Sequence, residues 1–136
     1  MFGFKKKDKV EFEATRTFGS YFQYDANRQA VKIMATKKII PVSSIETYQL
    51  NYGNKVYTKK NLGSAVVGTA MFGVVGAILA GTHSEEYISN LNILIRADGK
   101  FYSIPMIIGK IKMSSAKGTL RIADEIIEFL DGVTAE

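Results

Sequence analysis

The sequence predicts an α+β domain, an antiparallel and partly open β-barrel whose mouth is stoppered by a C-terminal amphipathic helix. Three observations carry this prediction. Short runs of alternating apolar and polar residues, bounded by turn residues, recur in both halves of the chain. The C-terminal stretch changes to helical spacing. An uncharged, glycine-rich segment, 62–82, lies between the two groups of strands. Antiparallel strands followed by one amphipathic helix belong to an α+β layer architecture, because the helix stripe buries itself on the sheet.

At 136 residues and 15.0 kDa the chain is expected to form one domain with a sizeable core. A basic N-terminal segment occupies 1–14, and the domain occupies 15–136 with 62–82 as an apolar insertion.

The elements follow in order. "RTFGSYFQY" reads as an aromatic-rich strand ending in the turn Asp25-Ala26-Asn27-Arg28. "QAVKIMA" returns as a half-buried strand, with Val31, Ile33 and Ala35 alternating against Lys32, Met34 and Thr36, so the two make a first hairpin. "KKIIPV" is a short strand whose Pro41 suits a sheet edge. "SIETYQLNYG" and "NKVYTKK" form a second pair joined near Gly53-Asn54. About four strands therefore precede the insertion, and two or three follow it.

"EYISNLNILIRADGKFYSIPMI" is the clearest hairpin. Leu91, Ile93, Ile95 and Ala97 share one face, Asp98-Gly99 supplies the tight turn, and the second strand runs from Lys100 to Ile107. In "SSAKGTLRIADEIIEFLDGV", Leu120, Ala123, Ile127 and Leu130 fall at helical spacing, widened by Ile122, Ile126, Phe129 and Val133. Ser114 or Ser115 is the expected N-cap, Arg121 and Glu125 an i,i+4 pair, and Gly132 the stop.

Charge is unevenly placed on this chain of formal net charge +5. Lys5, Lys6, Lys7 and Lys9 crowd the N-terminus, whereas Asp124, Glu125, Glu128, Asp131 and Glu136 make the C-terminus acidic. Such polarity suits an anionic membrane or an acidic partner, and solubility alone also accounts for it. Cysteine is absent, which removes disulfides and thiolate chemistry and fits a reducing compartment. "MFGFKKKDK" has no apolar run after its lysines and no glycine after Met1, so neither a secretory signal nor a myristoylation site is expected. The expected location is the cytoplasm, with peripheral attachment to the inner face of the membrane.

The insertion holds five of the twelve glycines. On a helix, Ala65, Thr69, Gly73, Ala77 and Gly81 recur every fourth residue, and Ala70, Gly76 and Ala80 broaden this small face. Val67, Met71, Phe72, Val74, Val75, Ile78 and Leu79 take the opposite half, while Val66 and Gly68 break the pattern. Small residues at such spacing let another backbone approach closely. The 21 uncharged residues would span roughly 30 Å, a hydrocarbon core's thickness. Lys59 and Lys60 precede them as an interfacial anchor would, and with Lys5, Lys6 and Lys7 they are the candidate lipid or acidic-partner contacts.

A single crossing would put strands of one sheet on opposite sides of the bilayer. A re-entrant hairpin broken at 73–76 avoids this. Three readings stay open: burial within the domain or a homo-oligomer, membrane insertion as a hairpin, and an exposed helix that docks another protein. Ala65, Thr69, Gly73, Gly76, Ala77 and Gly81 are the candidate contact residues in each.

Catalytic signatures are missing. "GSAVVGTA" superficially resembles a phosphate loop, but Thr69 and Ala70 follow Gly68 where a lysine is required. The single histidine, His83, with Glu85 and Glu86, is a thin ligand set without cysteine, so no metal or other cofactor is predicted. No elbow or oxyanion motif accompanies His83 and a serine. Tyr21, Phe22, Tyr24, Tyr52 and Tyr57 near Arg28, Lys55, Lys59 and Lys60 could stack bases, yet strand aromatics more often fill cores, which argues against a nucleic-acid partner. Catalysis is not expected.

The order of elements, "IIPVSSIETYQL", the glycine-rich insertion and "ADEIIEFL" resemble the bacterial pleckstrin-homology-like domains of Gram-positive bacteria and their phages, which often stand beside SHOCT modules. The resemblance covers about residues 15–131. It implies a seven-stranded, partly open barrel with a C-terminal helix and a binding or scaffolding role, and it transfers no site residues. This chain has no separate SHOCT or zinc-ribbon segment. The expected function is a non-catalytic interaction domain that self-associates or attaches to membrane lipid through 62–82. The alternative is a soluble phage or mobile-element accessory protein that binds and modulates a host protein.

Overall fold

Alternation of apolar and polar residues gives each strand one face for burial, and the computed structural model shows two antiparallel sheets whose inner faces meet one helix. It describes residues 12–53, 55–58 and 87–134. The first sheet is a meander of β1 (Arg16–Phe18), β2 (Phe22–Asp25), β3 (Ala30–Ile33) and β4 (Lys38–Pro41), in that order. A 3-10 turn, Val42–Ser44, leads into β5 (Ile45–Tyr52). With β6 (Lys55–Thr58), β7 (Tyr87–Ala97) and β8 (Lys100–Lys112), β5 builds the second sheet in the order β6-β5-β7-β8.

The class is therefore α+β as predicted, but the strand count differs. Among the described residues six strands precede 59–86 and two follow. The expected first strand, "RTFGSYFQY", is two strands: Gly19, at φ 57°, turns the chain between β1 and β2, and the Tyr21 N–H donates to the Phe18 carbonyl at 3.2 Å. A Cβ at Gly19 would lie 2.7 Å from Ile122 Cδ1, so the helix side chain also needs the space. The expected alternation through Ala35 stops at Ile33, beyond which the chain turns towards β4. Among the described residues the two sheets keep separate ladders, and no closed barrel forms.

The roles predicted for Pro41 and for the Asp98-Gly99 turn have counterparts, whereas Asn54 of the predicted Gly53-Asn54 turn lies outside the described residues. Pro41 lies in β4, an edge strand, paired opposite Ala30. Asp98 and Gly99, at φ 53° and 76°, form the two-residue turn of the β7–β8 hairpin. Pro105 lies in β8, the other sheet's edge, opposite Asn92. Counting from the turn, that pair is of the kind that exchanges no backbone hydrogen bonds, so a missing N–H costs the ladder nothing.

β8 continues past the predicted end at Ile107 to Lys112 because two irregularities reset its alternation. Leu91 pairs with Ile107 and Asn92 with Pro105, leaving Met106 extra; Ser89 pairs with Lys110 while Asn90 faces both Ile108 and Gly109. Met106 and Ile107, though adjacent, are consequently both buried.

The helix α1 (Met113–Thr134) follows β8 directly. It starts before the predicted caps, so Ser114 and Ser115 lie in its first turn and neither is the N-cap. Gly132 does not end it: the helix runs on to Thr134, whose hydroxyl donates to the Leu130 carbonyl at 2.7 Å. Arg121 and Glu125 do not pair within 4.0 Å among the described residues. Of the predicted stripe, Leu120, Ala123, Ile126, Ile127 and Leu130 are buried in the core and Ile122, Phe129 and Val133 only partly; Ala116, outside the predicted stripe, is buried with them.

Phe129 joins this helix to the first sheet. Its ring centroid lies 5.4 Å from that of Phe18, 6.0 Å from Phe22 and 4.8 Å from Tyr24, in tilted or edge-on arrangements that suit aromatic quadrupoles. Phe129→Ala should lower unfolding stability by about 2–4 kcal/mol in urea denaturation, slightly below a fully buried Phe because the ring is partly exposed. A loss under about 1 kcal/mol would mean that this cluster does not hold α1 in place.

Candidate functional site

All eleven residues predicted to make contacts lie outside the described residues: Ala65, Thr69, Gly73, Gly76, Ala77 and Gly81 of the small face, and Lys5, Lys6, Lys7, Lys59 and Lys60. His83 does as well. The described structure instead fixes the two points where the insertion joins the domain, Thr58 at the end of β6 and Tyr87 at the start of β7.

The second junction is an unusual surface. β7 and β8 run on as a two-stranded ribbon beyond Gly53, whose N–H donates to the Asn90 carbonyl at 3.1 Å. Ile88 and Ile111 pair inward, with Ile88 buried, which sends the neighbouring pairs Tyr87–Lys112 and Ser89–Lys110 to the opposite face. The Lys110 ammonium stands 5.2 Å from the Tyr87 ring centroid, within cation–π range. Tyr87 is 41% exposed, and Ile108, opposite Asn90 further along the same ribbon, is 82% exposed.

The bulge is what turns Ile108 outward. Gly109 adopts φ 84°, Asn90 adopts φ 46°, and the Gly109 N–H donates to Asn90 Oδ1 at 3.0 Å. Glycine is the residue that takes this φ without strain, and the asparagine side chain satisfies the N–H that the broken ladder frees. An isoleucine is thereby held in water by its own backbone. Sequence reading ended the strand at Ile107 and missed this; the signal was the run Ile107-Ile108-Gly109, too apolar for simple alternation.

A shallow cavity of ≈ 350 Å³ adjoins the bulge, lined by Asn51, Gly53, Asn90, Asn92, Pro105 and Ile108 among others. Asn92 Nδ2 donates to Ser103 Oγ at 2.9 Å, whereas its buried Oδ1 has no hydrogen-bond partner among the described residues. Among those residues no three His, Cys, Asp or Glu side chains gather into a metal site. The aromatics considered for base stacking lie in or against the core: Phe22 and Tyr52 are buried in it, and Tyr21, Tyr24 and Tyr57 pack against it, partly buried. Among the described residues no helix is long and apolar enough to cross a membrane.

Two polar groups, Asp25 beyond its predicted place in a turn and Tyr48, are structural. Asp25 is buried and accepts from the Glu13 N–H at 2.8 Å, the Asn27 N–H at 3.0 Å and the Arg28 N–H at 3.2 Å, and its carboxylate pairs with Arg28 Nη1 at 2.9 Å. It thus closes the β2–β3 turn and ties down the chain entering β1. The Tyr48 hydroxyl donates to Asp131 at 3.4 Å, joining β5 to the end of α1; burial, and then the nearby carboxylate, push its pKa up.

Comparison with protein-family models, curated proteins and solved structures finds no match for this chain.

Burial works against the charge on Asp25, yet its hydrogen bonds from Glu13 and Arg28 and the guanidinium hold its pKa below the ordinary 3.8. A lowered folded pKa stabilises the fold fully above the ordinary value, and that contribution disappears as pH falls through the folded one. Asp25→Asn should therefore lower Tm at pH 7, with the gap to the wild type narrowing as the pH drops below the carboxylate range. A gap independent of pH across acid titration would show that the ionised carboxylate is not what matters.

Proposed function

We propose that this chain is a non-catalytic, pleckstrin-homology-like interaction domain attached to a membrane, on its cytoplasmic face, by the apolar segment 62–82. One observation carries the reading. The inner faces of both sheets are already occupied by α1, whose buried stripe meets Phe18, Phe22, Tyr48, Leu50, Ile93 and Ile104 in one continuous core. The helix that caps two antiparallel sheets also supports the pleckstrin-homology-like description.

A segment with 21 uncharged residues needs a cover, because exposed apolar surface of that extent drives association. Lipid supplies it. Both junctions belong to one sheet, with β6 and β7 each hydrogen-bonded to β5, so a segment inserted in a bilayer must return to the bilayer face it left. A hairpin that dips and returns satisfies this. Its glycines cost about 1 kcal/mol each relative to alanine in a helix, and close packing of two arms through Ala65, Thr69, Gly73, Ala77 and Gly81 offsets the cost.

The full chain should sediment with membranes, resist high-salt washing and be released by detergent. Val75→Lys places a charge at the deepest point of the hairpin, where it costs about 3 kcal/mol, roughly a 150-fold loss of insertion. Gly73→Leu with Ala77→Leu should reduce the attached fraction several-fold without altering the far-UV circular dichroism of the domain. Recovery of the wild type as a detergent-free soluble monomer would refute the proposal.

A further inference from the structure

We infer that the rim formed by Tyr87, Ile108, Lys110 and Lys112 is a second membrane contact, lying in the interfacial layer of an anionic bilayer with Ile108 as its apolar anchor. This rests on the reading of 62–82 as a membrane segment, and adds to it a named surface and an orientation of the domain.

The first support is covalent reach. Thr82, the last residue of the uncharged segment, is five residues from Tyr87. Five residues cannot extend beyond about 17 Å. With 62–82 in the hydrocarbon, the start of β7 is therefore held near the headgroups. Tyr87 pairs with Lys112 and Ser89 with Lys110, and the Ile108 bulge follows at Asn90, so these side chains lie within a few residues of that junction along the ribbon.

Side-chain chemistry is the second support. Isoleucine at 82% exposure is costly in water, and the Gly109 φ of 84° together with the Asn90 hydrogen bond fixes it there. Tyrosine and lysine flanking an exposed aliphatic side chain suit a bilayer interface: the ring sits at headgroup level and the ammonium reaches lipid phosphate. Lys110 and Lys112 give the rim its charge complementarity to anionic lipid. Glu85 and Glu86, in the connecting stretch, partly offset that charge, which leaves Ile108 as the principal anchor. A second copy of the chain is the competing occupant, but two rims meeting face to face would bring like charges together.

The chain contains no tryptophan, so one introduced at the rim reports on that position alone. Ile108→Trp and, at the opposite end of β8, Phe101→Trp, itself 58% exposed, are compared in the full-length protein. Each is reconstituted with phosphatidylcholine vesicles containing about 30% phosphatidylglycerol, with and without brominated acyl chains. The expected result is emission shifted to shorter wavelength and strongly quenched by brominated lipid at position 108, with neither change at 101.

Vesicle attachment of Ile108→Trp with unshifted, unquenched indole emission overturns this inference and leaves the proposed function standing. Equal quenching at both positions also overturns it. So does a shift in Ile108→Trp that appears without lipid and grows with protein concentration, which assigns the rim to a second copy. Failure of the protein to float with vesicles removes the proposed function and this inference with it. Circular dichroism of each variant establishes that the fold is retained.

Discussion

The apolar stripe of α1, packed between two short-stranded sheets, is the interaction on which the rest of the structure depends. Among the described residues neither sheet closes on the other through backbone hydrogen bonds, so what joins them there is side-chain burial on the helix. The join is asymmetric. Phe129 meets the aromatic cluster of the first sheet, while Leu120, Ile126 and Leu130 belong to the core shared with Leu50, Ile93 and Ile95 of the second. Tyr48 to Asp131 adds a polar tie near the end of the helix. Because α1 follows β8 without a loop, its placement also depends on the bulged end of that strand.

This arrangement bears directly on the insertion. Once the helix fills the space between the sheets, a long apolar segment emerging from β6 and returning into β7 gains little by competing for it. The sheet order imposes a further condition, since both junction strands flank β5. β6 and β7 run parallel to each other, so the segment leaves one end of the sheet and re-enters at the other, while both junctions stay on one side of any bilayer. The rim of Tyr87, Ile108, Lys110 and Lys112 then acquires meaning from position: it is an exposed apolar and basic surface a few residues from an uncharged stretch.

Much of the fold was legible because its determinants are local or periodic. Leu91, Ile93, Ile95 and Ala97 alternate over a long strand, and Asp98-Gly99 is a turn whose backbone angles those residues favour. The stripe from Leu120 to Leu130 repeats at helical spacing over three turns. What escaped depended on distant partners. The turn at Gly19 hid inside an aromatic run that reads as one strand, and its tight contact is with Ile122, more than a hundred residues away. The bulge at Ile108 is set by an asparagine on the neighbouring strand. Asp25 looked like a turn residue, whereas its partners include a backbone N–H twelve positions earlier. Of the contact residues drawn from the sequence, all fall in 1–11 and 59–86, outside the described residues.

The central claim is that the domain completes its core with α1 and reserves 62–82 for lipid. Excision tests it most directly: residues 59–86 are replaced by about twelve Gly and Ser residues, enough to bridge β6 to β7, and unfolding and mass are measured without detergent. The account predicts a soluble monomer that unfolds cooperatively and has lost membrane attachment. A product that lacks cooperative unfolding or fixed tertiary structure would contradict it, because the segment would then be part of the core.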